Sequence, residues 1–404
     1  MQNKKNISLF LGWQALSLFG SMLVQYSTMW YVIMSTQSGK MATIAVVVGL
    51  LPTFFIAPFG GVWADRYNRK NLINLADGGI ALVTLFIALS FLFGYKEIWL
   101  LFVCTGVRAV GQGIQSPAVS SFIPQIVPQE QLNKINGINT SIQSFSALTA
   151  PMIAGALMSF IPLQYIFFID IVTAIIGICI LQFFVKIPAN SRDVAGNAPV
   201  AKSYFRDLKE GIRYVWQTKW IRYIILLEII LHVFGHAPTA FLSPLQVTRN
   251  FGNDVWRLTA IEVAFSSGML LGGLLIGFWG GFKNKMYSMS LACVIIGAGM
   301  LGLGLLPNFW LYCATWIVIG LIAPLSNVPC TTLLQTKTDP AYLGRGFSVF
   351  QMVFSLAMPL AMLVFGPLSD VINIDYMLIG GGIVIFLLSI PYVVSKVLRE
   401  ADRN

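Results

Sequence analysis

Charged side chains are scarce in these 404 residues: Asp, Glu, Lys and Arg together supply 10%, against about 25% in an ordinary soluble domain. Beside a hydrophobic share of 56%, that shortage excludes a water-soluble globule, whose surface needs far more polar cover. Histidine is nearly absent, with two residues, and the five cysteines (Cys104, Cys179, Cys293, Cys313, Cys330) lie in apolar stretches without C-x-x-C spacing. Neither a disulfide framework nor a structural zinc site is indicated, and no metal or cofactor is expected. The pattern G-x-x-x-x-G-K-[ST] is missing, which argues against built-in nucleotide hydrolysis. No catalytic constellation takes its place, so the chain does not read as an enzyme.

What is present is apolar length. Runs recur from Leu9 to Lys396, and since about 20 apolar helical residues cross a bilayer, there is room for about twelve crossings. The expected spans are 9–36, 42–64, 72–93, 98–122, 132–160 and 163–184, then 221–244, 258–278, 286–305, 310–334, 346–368 and 377–396. The opening MQNKKNISLF is not a signal peptide, because its apolar run continues to Tyr31 without a cleavage site. The fold class expected is an all-α membrane protein, with twelve transmembrane helices in two pseudo-symmetric six-helix bundles. Residues 1–185 form the first bundle, 186–220 a cytoplasmic linker and 221–404 the second bundle.

The net charge of +10 reports orientation and anionic headgroups rather than nucleic acid. With the N-terminus inside, the cytoplasmic segments hold Lys4, Lys5, Arg66, Arg69, Lys70, Lys134, the set from Lys186 to Arg222, Lys283, Lys285, Lys337, Arg345, Lys396, Arg399 and Arg403. The outer segments hold only Lys40, Lys96, Arg249 and Arg257. This asymmetry places both termini in the cytoplasm. The linker's second part, YFRDLKEGIRYVWQTKW, spaces its aromatic and basic residues as an interfacial helix would, with Trp216 and Trp220 near the headgroups.

The halves echo each other. Gly61-Val-Trp-Ala-Asp65-Arg66-Tyr-Asn-Arg69-Lys70 returns as Gly277-Phe-Trp-Gly-Gly281-Phe-Lys283-Asn-Lys285; Pro117 and Pro128 are matched by Pro329 and Pro340, and Pro151 by Pro359. Gly277 follows Gly61 by 216 positions, Pro329 follows Pro117 by 212 and Pro359 follows Pro151 by 208. Duplicated bundles suit a transporter that rocks one half against the other.

At these residues the chain resembles the major facilitator superfamily over essentially its whole length. Gly61 to Lys70 is similar to that family's loop signature Gly-x-x-x-Asp-Arg-x-Gly-Arg-Lys, with Asn68 in place of a glycine; Asn is the next best residue for a left-handed turn. By their chemistry, Gly61 permits close helix approach, and Asp65 and Arg69 pair four residues apart. The resemblance implies that Gly61, Asp65, Arg66, Arg69 and Lys70 form a conformational latch against the eleventh span near Gly344 to Gly346. The alternative is that the cations only enforce orientation. Arg108-Ala-Val-Gly111-Gln112-Gly113 resembles the family's Arg-x-x-Gln-Gly pattern with Gln displaced by one. An arginine at bilayer depth costs about 2.5 to 3.5 kcal/mol, so Arg108 needs a polar cavity, an anion or backbone carbonyls. The family pairs it with an acid, yet the first span has no Asp or Glu and offers Gln14 and Gln25.

In the fifth span Ser146, Ala150, Pro151 and Gly155 give a softened form of the family's antiporter motif. It also reads as an ordinary small-residue seam bent by proline. Glu262-Val-Ala-Phe-Ser-Ser-Gly-Met-Leu-Leu-Gly-Gly and Tyr342-Leu-Gly-Arg345-Gly-Phe-Ser add similarity to bacterial macrolide-efflux-type exporters. The resemblance implies export of amphipathic compounds in exchange for protons.

The remaining ionisable groups within spans are Asp77, Asp170, Glu228, His232, His236 and Glu262. Asp170 lies deep, about 10 Å from the span end, whereas Asp77 and Glu262 read as hydrated boundary residues or coupling groups. Glu228, His232 and His236 make a stripe at spacing four, open to three readings: a proton relay, a transition-metal site short of a ligand, or a polar cavity wall. The proton-coupling candidates are Arg108, Asp170, Glu228, His232 and Glu262, and the substrate-cavity candidates Gln14, Gln25, Tyr31 and His236. The function expected is an exporter of amphipathic drugs such as macrolides, driven by proton antiport through alternating access in a bacterial cytoplasmic membrane. Its partners are a small amphipathic substrate, protons and the lipid bilayer, and the chain is expected to act as a monomer. The alternatives are an exporter of an endogenous metabolite or siderophore, and a non-transporting sensor.

Overall fold

A computed structural model describes residues 2–185, 200–279, 281–282, 284–339 and 343–403. The described residues form helices α1 (Gln2–Thr36), α2 (Gly39–Arg66), α3 (Arg69–Leu92), α4 (Ile98–Ile126), α5 (Leu132–Phe160), α6 (Leu163–Cys179), α7 (Val200–Gln217) and α8 (Lys219–Leu231). They continue with α9 (Ser243–Asn250), α10 (Val255–Trp279), α11 (Lys285–Leu305), α12 (Phe309–Lys337), α13 (Leu343–Leu368), α14 (Ile374–Val394) and α15 (Lys396–Arg403). Among the described residues eleven stretches are long and apolar enough to cross a membrane, and Met352–Leu368 of α13 is a shorter apolar helix.

Deep in α3 the two polar residues, Asp77 and Thr84, lie on the buried side among apolar neighbours, and the outward side is apolar too. On α3 the buried side is Ile73, Asp77, Ile80, Thr84, Ile87 and Phe91, at spacings of three and four. The outward side is Leu75, Leu82 and Phe86. Polar groups therefore sit inside the bundle and hydrocarbon faces out, as a lipid solvent demands.

The chain divides into two compact units: Met1–Ser35 with Ile44–Ala201, and Thr36–Thr43 with Lys202–Asn404. In the first, Phe10 and Trp13 of α1 pack with Ala64, Ile73, Phe122 and Leu181 in one buried cluster. In a second cluster, Val24 and Val32 meet Phe91, Leu101 and Phe167. In the second unit a close seam joins α11 to α14. A Cβ on Gly297 would lie 2.7 Å from Phe386 N, and one on Gly382 would lie 2.9 Å from Gly297 O. Only glycine allows that backbone approach, which replaces the hydrophobic drive that lipid removes.

The sequence echo has a structural counterpart. Asn68 takes an extended φ of −62° rather than the expected left-handed turn; its Oδ1 accepts from Asn71 N at 3.2 Å and caps α3, and Asn284, 216 positions later, accepts from Met286 N and Tyr287 N and caps α11. Each asparagine satisfies backbone donors left open at a helix start. Pro117 and Pro329 both lie inside helices, α4 and α12, as do Pro151 and Pro359 in α5 and α13. Of the other matched pair, Pro128 precedes the short turn Gln129–Gln131, and Pro340 lies outside the described residues.

The seventh span departs from expectation. Rather than one α-helix, Lys219–Asn250 breaks into α8, π-helical turns at His232–His236 and Pro238–Leu242, and α9. Pro238 has no N–H to donate and Thr239 bonds back to Gly235 O at 2.7 Å, so the regular ladder is reset at the two histidines. Of the linker, residues 186–199 lie outside the described structure, and the expected interfacial helix is α7, with Trp216 exposed.

Candidate functional site

The first unit buries an ion pair. Arg108 on α4 donates from Nη1 to Asp170 Oδ2 on α6 at 2.7 Å, with side chains 8% and 4% exposed. Thr84 on α3 bonds Arg108, Asp170 Oδ2 at 3.3 Å and Ile80 O. A Cβ on Gly20 of α1 would lie 2.9 Å from Asp170 Oδ1. Helices α1, α3, α4 and α6 thus converge on one neutralised charge pair. The arginine's expected partner was sought in α1, but the structure supplies it from α6, because Gly20 leaves α1 no side chain at that level.

Asp77 is no hydrated boundary residue. It is 4% exposed; Oδ1 accepts from Gln115 Nε2 at 2.6 Å, while Oδ2 is buried without a hydrogen-bond partner among the described residues. Gln115 also reaches Ser17 at 3.3 Å. Sequence reasoning passed over Gln115 and Thr84, since uncharged polar residues in spans carry little signal by themselves.

The second unit holds the stripe, with Glu228 on α8 and the two histidines in the π-helical turn that follows. Glu228 is 4% exposed and accepts from Tyr392 Oη on α14 at 3.4 Å. The Cys330 thiol on α12 lies close to it. His232 Nδ1 lies 3.0 Å from the Glu228 carbonyl and 3.9 Å from its Oε2. The His232 and His236 rings stack at 4.5 Å, and Phe354 of α13 covers His232 at 4.2 Å. No group of three or more His, Cys, Asp or Glu placed to hold a metal occurs among the described residues. Tyr392 and Cys330 were invisible as partners because they lie 164 and 102 positions away in sequence.

The remaining candidates are dispersed. Glu262 on α10 is half-buried, Gln25 is exposed, and Gln14 is buried with Oε1 unpartnered. Tyr31 packs edge-on against Phe91 at 5.7 Å, so it serves the core. His236 Nδ1 is buried without a partner. Ser146 and Ala150 are buried on α5 beside Pro151 and Gly155. An apolar groove of about 790 Å³ lies between α2, α3 and α4, lined by Trp63, Asn71, Gly79, Leu82, Val107 and Gly111 among others. None of the substrate-cavity candidates lines it.

At the loop signature, Arg69 Nη2 lies 3.5 Å from Asp65 Oδ1, and its other nitrogens bond Ala64 O at 2.9 Å and Ser121 O at 2.7 Å. Lys70 Nζ bonds Gln182 O and Val185 O at 2.8 and 2.9 Å, and Arg66 is exposed. Gly61 departs from expectation: a Cβ there meets nothing within 4 Å, whereas one on Gly60 would fall 2.5 Å from Gly113 O. The close approach belongs to the neighbouring glycine, which is the one that faces α4. Residues 344–346, the expected latch partner, are described as helix only, and the Arg345 side chain lies outside what is described.

The sequence profile of the Major Facilitator Superfamily matches residues 9–362. Macrolide efflux protein A of Streptococcus pyogenes is 29% identical over 391 residues, covering 96% of this chain and 95% of that protein. Macrolide efflux protein A of Enterococcus faecalis is 31% identical over 318 residues, covering 78% and 97%. Among solved structures, a D-xylose-proton symporter superposes with a TM-score of 0.71 at 13% identity, covering 96% of this chain and 97% of the other.

Proposed function

The chain belongs to the Major Facilitator Superfamily and is a non-enzymatic membrane transporter; from that membership we propose that it exports amphipathic drugs of the macrolide class. Export is driven by proton antiport through alternating access, from a bacterial cytoplasmic membrane with both termini inside. The observation that carries the export reading is the similarity to macrolide efflux proteins along nearly the whole chain.

Alternating access needs units that move without coming apart. The buried Arg108–Asp170 pair ties α4 to α6, with Thr84 joining from α3, and the Gly297/Gly382 seam joins α11 to α14. Each unit is stitched internally by contacts too costly to break in every cycle. Coupling needs a group that binds a proton at one stage and releases it at another. The candidates are Asp170, Glu228, His232 and Glu262, with Arg108 acting on its acid partner. The loop signature Gly61, Asp65, Arg66, Arg69 and Lys70 serves as a latch that biases the cycle, and Ser146, Ala150, Pro151 and Gly155 form the antiporter-like bend of α5.

The test is flux in inverted vesicles or proteoliposomes. Erythromycin accumulation should follow an imposed proton gradient and collapse when an ionophore dissipates it. Accumulation that persists without a gradient removes the antiport mechanism. No movement of any amphipathic drug, beside movement of an endogenous metabolite, selects the metabolite-exporter reading instead.

A further inference from the structure

A carboxyl group taken out of water must be neutralised by a cation, by a metal or by a proton. Asp170 has its cation, Arg108, at 2.7 Å. Glu228, equally buried, has no Lys or Arg at ion-pair distance among the described residues; the cation nearest in character is a histidine 3.9 Å away. Its other polar neighbours come from three helices: the Tyr392 hydroxyl from α14, the Cys330 thiol from α12 and Cys293 from α11; from α13 the apolar ring of Phe354 covers His232. Arg399 of α15 is spent on the Val393 carbonyl.

Asp77 is buried without a cation as well, but its surroundings are different in kind. They are the amide of Gln115, the indole of Trp13 and a second acid, Asp170. A proton there has no base beside it to pass to. Glu262 is half-buried and makes no hydrogen bond among the described residues that could fix or relay a proton. Glu228 alone combines burial, the absence of a strong cation and an adjacent imidazole, and that imidazole is more accessible, at 21% against 6% for the acid.

We infer that Glu228 is the residue that carries the exchanged proton, with His232 as its relay and Tyr392 and Cys330 as positioning residues; this deepens the antiport reading and rests on it. His232 Nδ1 is engaged by the Glu228 carbonyl at 3.0 Å, which leaves Nε2 as the accepting lone pair in the neutral ring. On release, the Glu228 O–H bond breaks and an N–H bond forms at Nε2 by way of a water. The product is a carboxylate beside an imidazolium, which then passes its proton to solvent. The π-helical turn at His232–His236 begins at this relay residue. Tyr392 steadies the carboxylate by donating to Oε1 at 3.4 Å.

Dicyclohexylcarbodiimide tests the assignment on the intact, substrate-free protein. The O–H of a protonated carboxyl adds across a C=N bond of the reagent, giving an acylisourea that rearranges to a stable acylurea, whereas a carboxylate does not react. Mass spectrometry of the labelled peptides should show Glu228 modified near pH 6 and at least about tenfold less by pH 9, with Asp170 unmodified throughout. In Tyr392→Phe the decline should move to higher pH by on the order of half a unit, since a donor to the carboxylate is gone. Glu228 unlabelled at every pH, or labelled equally at every pH, overturns the assignment. Drug flux on the same preparation separates the two claims: a normal labelling profile without flux overturns export, and flux with a flat profile overturns only the role of Glu228.

Discussion

Arg249 Nη2 and Asp370 Oδ1 lie 3.0 Å apart, and the same carboxylate accepts from Gly39 N at 2.7 Å, Lys40 N at 3.1 Å and Ser38 Oγ at 2.8 Å. Arg249 also bonds the carbonyl of Gln37, a residue held at a left-handed φ of 47°. One acid thus caps the start of α2 while an arginine grips the residue before it. Residues Thr36–Thr43 belong to the second unit by these contacts.

The pin is pH-sensitive with a definite sign. Burial opposes the Asp370 carboxylate, but the N–H groups of Gly39 and Lys40, the Ser38 hydroxyl and Arg249 outweigh it and hold the carboxyl below its ordinary value. A depressed acid contributes its full stabilisation above the unfolded value, about 3.9, and loses it as pH falls through the folded one. Hydrogen exchange at residues 38–43 should therefore be flat from neutral pH to about pH 5 once corrected for the intrinsic rate, then quicken below about pH 4. Asp370→Asn should give the fast pattern at every pH, at a cost of about 1 kcal/mol locally.

The Arg108–Asp170 pair should behave as a unit. Removing either partner strands a buried charge, so Arg108→Ala or Asp170→Asn alone should lower stability by about 3 kcal/mol. The double neutral variant Arg108→Gln with Asp170→Asn should lose much less than the two single losses combined. Thermal unfolding in detergent measures all three; strict additivity would show that the pair is not coupled.

Glycines facing backbone should be intolerant where others are not. Gly297→Ala places a Cβ 2.7 Å from Phe386 N, so α11 and α14 must separate, at a cost of about 1 to 3 kcal/mol. Gly273→Ala meets nothing within 4 Å and should leave the unfolding midpoint unchanged or slightly raised. A midpoint equally lowered by both would remove the seam argument.

Helix positions were legible from composition, because a bilayer requires about 20 apolar residues per crossing and polar ones between. Spans expected at 98–122 and 132–160 appear as Ile98–Ile126 and Leu132–Phe160. The seventh span was harder. Its hydropathy is continuous, and the π-turns at His232 and Pro238 follow from local hydrogen-bond competition that hydropathy does not record.

For the site, the sequence by itself determined which chemistries were possible: one deep arginine, a few acids and two histidines, each too costly in lipid to be incidental. Which acid meets which partner was decided only in three dimensions. Asp170 is paired because α6 brings it to Arg108 across 62 positions of sequence, while Glu228 is left to a tyrosine and a cysteine from α14 and α12. Burial energies depend on what stands within a few ångströms, and that distance is set by helix packing rather than by order along the chain.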